Sequence, residues 1–144
     1  MLTLDKTCGE IEAPLALEGD AIELVFPTGL LGFESSKRFR LISPPDLAPY
    51  QWLEGLDDLH LSFLVLPSVH IPNNYRVDLS DEDAESVGLR DAADAVLLNI
   101  AVCHKDGAVT VNLKGPIVYH RQTLAARQVV PNNACDLPLS HPLD

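Results

Sequence analysis

The sequence predicts a mainly β domain, a sandwich or a barrel with short helical insertions. Turn signals recur at short spacing: Gly19-Asp20, Pro27-Thr28-Gly29, Pro44-Pro45, Pro72-Asn73-Asn74, Asp106-Gly107 and Pro131-Asn132-Asn133. The segments between them are short and alternate apolar with polar residues, which is the period of strands. At 144 residues the chain has the length of one domain and can bury a hydrophobic core without staples. Hydrophobic residues make up 47% and charged residues 22%, so wholesale disorder is excluded. No apolar run approaches the ~20 residues that would span a bilayer as a helix.

The elements follow in order. Strands are expected at 22–26, 39–42, 61–66, 75–79 and 128–130, with weaker candidates at 50–53 and 3–12. The clearest element is a hairpin. Val96, Leu98, Ile100 and Val102 share one face; Leu97, Asn99, Ala101 and Cys103 share the other. Asp106-Gly107 then suits a turn that needs positive φ. Val109, Val111 and Leu113 form one face of the return strand, and Gly115-Pro116 interrupts the pairing before a short strand at 117–119. One short helix starts at Ser80, whose hydroxyl with Asp83 three residues on resembles a capping box, and Gly88 supplies its stop. Residues 1–130 read as a single domain and 131–144 as a partly ordered C-terminal tail rich in Pro and Asn.

Charge sets the function classes. Ten Lys and Arg against 21 Asp and Glu give a net charge of −11. Such a chain repels nucleic acid and anionic membrane at long range, so neither is expected as a direct partner; a basic protein is favoured. The acid is concentrated between Asp78 and Asp94: Asp78, Asp81, Glu82, Asp83, Glu85, Asp91 and Asp94, with Arg90 the only base. Two readings of this run stand side by side, a solvated helix face and a docking surface for a basic partner.

Catalytic equipment is not visible. There is no P-loop, GxGxxG, GxSxG, HExxH or EF-hand pattern. His60, His70, His104, His120 and His141 show no helical metal-ligand spacing, and no metal or other cofactor is expected. Cys103-His104 is the only adjacent soft-ligand pair, but strand neighbours point to opposite faces. Cys103 reads as a small buried hydrophobe more readily than as a nucleophile. Asp57-Asp58 reads as a turn, and Gly29-Leu30-Leu31-Gly32 has KH-like spacing without the basic context that RNA needs. Cys8, Cys103 and Cys135 make an odd count without CxxC spacing, and the opening residues carry no secretory signal. The chain is therefore expected in the cytoplasm with reduced thiols. An unrecognised hydrolase or thiol enzyme on a β scaffold is the competing class.

Several segments carry a family resemblance. Phe26-Pro27-Thr28-Gly29-Leu30-Leu31-Gly32-Phe33-Glu34 resembles the Phe-Pro-x-Gly-Leu-x-Gly-Phe-Glu motif of the flagellar assembly factor FliW family. Tyr50-Gln51-Trp52-Leu53-Glu54, Leu61-Ser62-Phe63-Leu64-Val65, Asn74-Tyr75-Arg76-Val77-Asp78-Leu79, Val111-Asn112-Leu113-Lys114-Gly115-Pro116-Ile117-Val118 and Gln128-Val129-Val130 are similar to later segments of that family, in the same order. The chain departs from the family at its C-terminal end, where Leu137-Pro138-Leu139-Ser140-His141-Pro142-Leu143 lacks the usual Tyr and Arg, and at Gly115, where Ala is common.

The resemblance implies a small, mainly antiparallel, barrel-like β fold. It also implies a non-catalytic regulator with two protein partners. Flagellin is bound in the cytoplasm; once flagellin is exported, the freed factor binds CsrA, a small basic dimeric translational repressor, and relieves repression of flagellin mRNA. The expected partner-binding residues are Tyr75, Asp78, Asp81, Glu82, Asp83 and Glu85 on an acidic side and Leu30 and Leu31 on an apolar side. Trp52 is either a core residue or part of a groove with Leu30 and Leu31 for an amphipathic helix.

Overall fold

The structure, a computed structural model, describes residues 2–5, 21–71 and 75–143. The expected turns at 19–20 and 72–74, the first strand beyond residue 5, and Cys8 lie outside them. The strands are β1 (Leu2–Asp5), β2 (Ala21–Val25), β3 (Arg38–Ile42), β4 (Gln51–Gly55), β5 (Ser62–Pro67), β6 (Arg76–Leu79), β7 (Ala95–Cys103), β8 (Val109–Val111), β9 (Ile117–His120), β10 (Ala126–Gln128) and β11 (His141–Leu143). Among the described residues a single α-helix, α1 (Asp81–Ser86), lies between β6 and β7. The fold is mainly β, as the alternation and turn spacing required.

The larger sheet runs β10-β9-β7-β5-β4-β3-β2, with every pair antiparallel. It curls. Val25, at the end of β2, makes a parallel bridge to Ala125 beside β10, and its N–H donates to the Leu124 carbonyl at 3.1 Å. The two ends of the path thus meet at a single point without forming a full ladder. β8 pairs with the far half of β7, and β11 extends the sheet beyond β8. Separately, β1 and β6 form a two-stranded antiparallel ribbon.

Strand β7 explains why the sheet carries two cores. Val96 and Leu98 face an inner core to which every strand of the path contributes, including Leu24, Phe39, Leu53, Val65, Tyr119 and Ala126. Leu97 and Ala101 face an outer core under the β1–β6 ribbon and α1, with Leu4, Val77, Leu79 and Val87. Both faces of the strand are covered, so its apolar residues run almost continuously. The cover ends before the hairpin turn, where Val102 is 51% exposed and Cys103 is exposed too. The expectation of a buried Cys103 is corrected for this reason.

The hairpin turn is longer than a two-residue turn. Gly107 N–H donates to the His104 carbonyl and His104 N–H to the Ala108 carbonyl, closing a loop of residues 104–108. Gly107 takes φ +87°, as its place in the sequence required, whereas Asp106 does not share the positive φ. β8 and β9 lie along one edge of β7, interrupted by a bulge at residues 112–116. The Asn112 side chain shapes the bulge by accepting from the N–H groups of Lys114 and Gly115.

Tyr75 and Asn99 tie the outer core together. The Tyr75 hydroxyl donates to the Leu113 carbonyl at 2.8 Å and accepts from Asn99 Nδ2 at 3.1 Å. Asn99 also donates to the Asn112 carbonyl and accepts from the Ser68 hydroxyl. A fully buried amide is thereby satisfied, which is the condition for its presence in a core. Burial pushes the Tyr75 phenol up to about 12, and the Asn99 hydrogen bond acts in the opposite direction.

The segment after residue 130, expected as a partly ordered tail, carries a 3-10 turn at Ala134–Asp136 and strand β11, and Leu137 and Leu143 pack on the outer core. Asn133 imitates a neighbouring strand along the free edge of β6: its Oδ1 accepts from Asp78 N–H and its Nδ2 donates to the Arg76 carbonyl. Pro and Asn there read as loop chemistry, and they serve instead to dock backbone against backbone.

Candidate functional site

Two surfaces draw attention, an apolar loop at one end of the curled sheet and the acidic helix. The loop between β2 and β3 begins with a turn in which Gly29 N–H donates to the Phe26 carbonyl. Gly29 has φ +69°, and a Cβ there would stand 2.6 Å from the Glu34 backbone. Both the dihedral and the close approach require glycine. Past this point the chain alternates. Leu30 turns inward and is 1% exposed, whereas Leu31 turns outward and is 54% exposed. Phe33 is 41% exposed and meets Phe63 of β5 edge to face, with ring centroids 5.6 Å apart.

Charged groups pin this loop without covering it. Glu34 accepts from Gly32 N–H at 2.7 Å, and that bond, more than the nearby Lys37, holds its carboxyl below the ordinary value. Asp57, in the β4–β5 connection, accepts from the N–H groups of Lys37 and Arg38 and from the Arg38 guanidinium. The Lys37 N–H is the largest cause of its lowered pKa. The β4–β5 connection is thereby fastened to the loop, and its own apolar residue Leu59 stands 81% exposed. Gln128 of β10 completes the arrangement. Its Oε1 accepts from Leu31 N–H, and its Nε2 donates to the Gly115 carbonyl, each at 3.0 Å.

Helix α1 is built as the sequence required. The Ser80 hydroxyl accepts from Asp83 N–H at 3.1 Å. At the other end Gly88 N–H donates to the Glu85 carbonyl and Leu89 N–H to the Ala84 carbonyl, a Schellman closure. Ala84, Val87 and Leu89 enter the outer core, which leaves Asp81, Glu82 and Glu85 exposed. Asp83 does not complete a capping box. It is buried and pairs with Arg127 of β10, Nε to Oδ1 2.9 Å. Asp78 accepts from the Thr3 hydroxyl, Asp91 caps the following 3-10 turn through Ala93 N–H, and Asp94 lies 3.8 Å from Arg121.

The expected partner-facing residues thus divide. Asp81, Glu82, Glu85 and Leu31 are on the surface, and Asp78 is partly so. The side chains of Tyr75, Leu30 and Asp83 lie in the outer core, the inner core and an ion pair. Trp52 is half-buried. It pairs with Ile42, whereas the loop enters β3 at Arg38, beside the Gly55 end of β4. Trp52 lies three positions from that end, about 10 Å of strand. Phe33, Leu59 and Gln128 complete the apolar end and were not singled out from the sequence. Phe33 and Gln128 lie within quoted segments, but no local pattern shows that Gln128 bonds the Leu31 N–H.

Groupings that support metal chemistry are not found among the described residues. His104 Nε2 is engaged with the Thr110 hydroxyl at 2.9 Å. No helix among the described residues is long and apolar enough to cross a membrane.

These features define a small, curled, mainly antiparallel β domain with two solvent-facing patches of opposite character. The FliW protein family model matches residues 6–143. The flagellar assembly factor FliW of Geotalea uraniireducens is 37% identical over 114 residues, covering 78% of this chain and 68% of the relative. That of Natranaerobius thermophilus is 29% identical over 137 residues, covering 94% and 87%. A crystal structure of the flagellar assembly factor FliW matches with a TM-score of 0.75 at 25% identity, covering 83% of this chain and 84% of that one. The chain belongs to the FliW family of flagellar assembly factors, and its role lies in flagellar assembly.

Proposed function

We propose that the protein serves flagellar assembly in the cytoplasm by binding two proteins and catalysing nothing. Flagellin docks at the apolar end formed by Leu31, Phe33 and Leu59. When flagellin is absent, the basic repressor CsrA docks at the exposed acids of α1, and translation of flagellin mRNA is relieved. The observation that supports this reading is the presentation of Leu31 and Phe33, 54% and 41% exposed, on a loop held by hydrogen bonds at Gly32, Lys37 and Leu31. Exposed apolar groups on a fixed backbone suit an amphipathic helix, which gains affinity from a surface that needs no ordering.

The acidic surface works by a different force. Each unit charge at ~10 Å contributes only tenths of a kcal/mol in water, further reduced by salt. Several acids close to a basic RNA-binding surface add to a useful reduction of its potential without overlapping the RNA site. The net charge of −11 opposes direct RNA binding by the protein itself.

Mobility shifts with labelled flagellin leader RNA, CsrA and this protein test the reading. Added protein is expected to release RNA from CsrA without entering any RNA-bound species, and flagellin is expected to reverse the release. Retardation of RNA by this protein alone, or failure to release it despite demonstrated CsrA binding, would overturn the regulatory reading.

A further inference from the structure

We infer that Gln128 is the positioning residue of the apolar loop: it holds Leu31 in the exposed arrangement that a partner reads. The inference rests on the apolar end being a docking surface. Two other segments of the chain meet at this one side chain. Oε1 accepts from Leu31 N–H, 97 residues away, and Nε2 donates to the Gly115 carbonyl, 13 residues away. Leu31 sits between Gly29 and Gly32, both at positive φ, +69° and +88°. Glycines on either side leave the backbone torsions of that stretch weakly restricted by sterics, so an external contact must select the conformer. The Phe33 N–H to Leu30 carbonyl bond closes the turn but does not engage Leu31 N–H.

The strand that carries Gln128 is itself anchored. Arg127 pairs with Asp83 on α1, Gln128 opposes Ile117 in the β9–β10 ladder, and Val129 N–H donates to the Pro116 carbonyl. The carboxamide therefore projects from a fixed point. Gly115 belongs to the same device: a Cβ there would come within 3.2 Å of Gln128 Nε2 and 3.3 Å of Asn112 Nδ2. The small residue leaves room for Gln128 to lie against the bulge. A loop fixed in its bound form loses less entropy on docking.

The test separates positioning from plain stability. Gln128→Met keeps the length of the side chain and removes both hydrogen bonds. Gln128→Glu keeps the acceptor for Leu31 N–H and loses the donor to Gly115. Amide exchange is measured at Leu31 in the free protein, together with affinity for purified flagellin monomer. Gln128→Met is expected to speed Leu31 exchange and weaken flagellin roughly 2- to 10-fold, the equivalent of one hydrogen bond. Gln128→Glu is expected to lower the melting temperature while keeping Leu31 protection and affinity. Unchanged Leu31 exchange in Gln128→Met overturns the inference, as does an affinity loss in Gln128→Glu equal to that in Gln128→Met. A Leu31→Ser variant, which retains the amide, tests the docking reading separately. If it binds flagellin normally, the apolar end is not the flagellin surface, and the exchange result still decides what Gln128 does.

Discussion

The apolar loop and the acidic helix make a useful pair. The loop has an ordinary composition, and its surface is made by tertiary constraint: Gly29 against the Glu34 backbone, Asp57 on Lys37 and Arg38, Gln128 on Leu31. The helix has a conspicuous composition, and much of its charge is committed within the molecule. Asp83 pairs with Arg127, Asp94 approaches Arg121, Asp91 caps a turn and Asp78 meets Thr3. The exposed field at α1 comes from Asp81, Glu82 and Glu85. A charge run therefore overstates the field it presents, and an apolar run understates how its side chains are displayed.

The sharpest way to break this contrast is to treat Asp83 like its neighbours. Asp83→Lys places a cation against Arg127 in a mostly buried setting and is expected to cost roughly 3 kcal/mol of stability. Urea denaturation checks it, and an unchanged midpoint would return Asp83 to the surface set.

Next comes the loop. Gly29→Ala is expected to cost roughly 2 kcal/mol, since the added Cβ meets the Glu34 backbone and φ is positive. Gly107→Ala, with the same strain but open space around its Cβ, is expected to cost about 1 kcal/mol. Thermal melts of the two variants give the part due to close approach alone.

The two buried tyrosines sharpen the comparison between satisfied and unsatisfied polar groups. Tyr75→Phe loses a donor and an acceptor bond and is expected to destabilise by about 1 kcal/mol. Tyr119→Phe is expected to be neutral or to stabilise by up to about 1 kcal/mol, because its buried hydroxyl has no hydrogen-bond partner among the described residues. Burial raises the pKa of both phenols. Their contribution is complete below the ordinary tyrosine pKa and is lost as pH rises toward the folded values.

Acid acts on the loop in the opposite sense. Glu34 and Asp57 have lowered pKa values in the fold. Their stabilising effect is present above the ordinary carboxylate values and is lost as pH falls through the folded ones. Amide signals of Gly32 and Lys37 are expected to shift together below that range, and Glu34→Gln is expected to remove the Gly32 part.

The smallest effect on stability belongs to the exposed acids. Glu82→Lys with Glu85→Lys is expected to change stability by no more than ~0.5 kcal/mol each. The pair is expected to slow association with CsrA and flatten its salt dependence. Stopped-flow rates at two ionic strengths check this.

The sequence by itself determined the β7–β8 hairpin, the capped helix at Ser80 and the glycine turn at 107, because each rests on local sterics and local hydrogen bonds. Period 2 marked both faces of β7 before any neighbour was known. Local chemistry could not decide which acids remain on the surface. Asp83 and Glu82 are adjacent on one helix, and only the approach of β10 with Arg127 separates them. Nor could it decide that Cys103 escapes cover, that Trp52 lies away from Leu31, or that Asn133 would stand in for a strand. Those outcomes depend on register and on contacts between distant parts of the chain, such as the one between Gln128 and Leu31 across 97 residues. Such contacts form only when the curled sheet brings its own ends together, and no local preference encodes them.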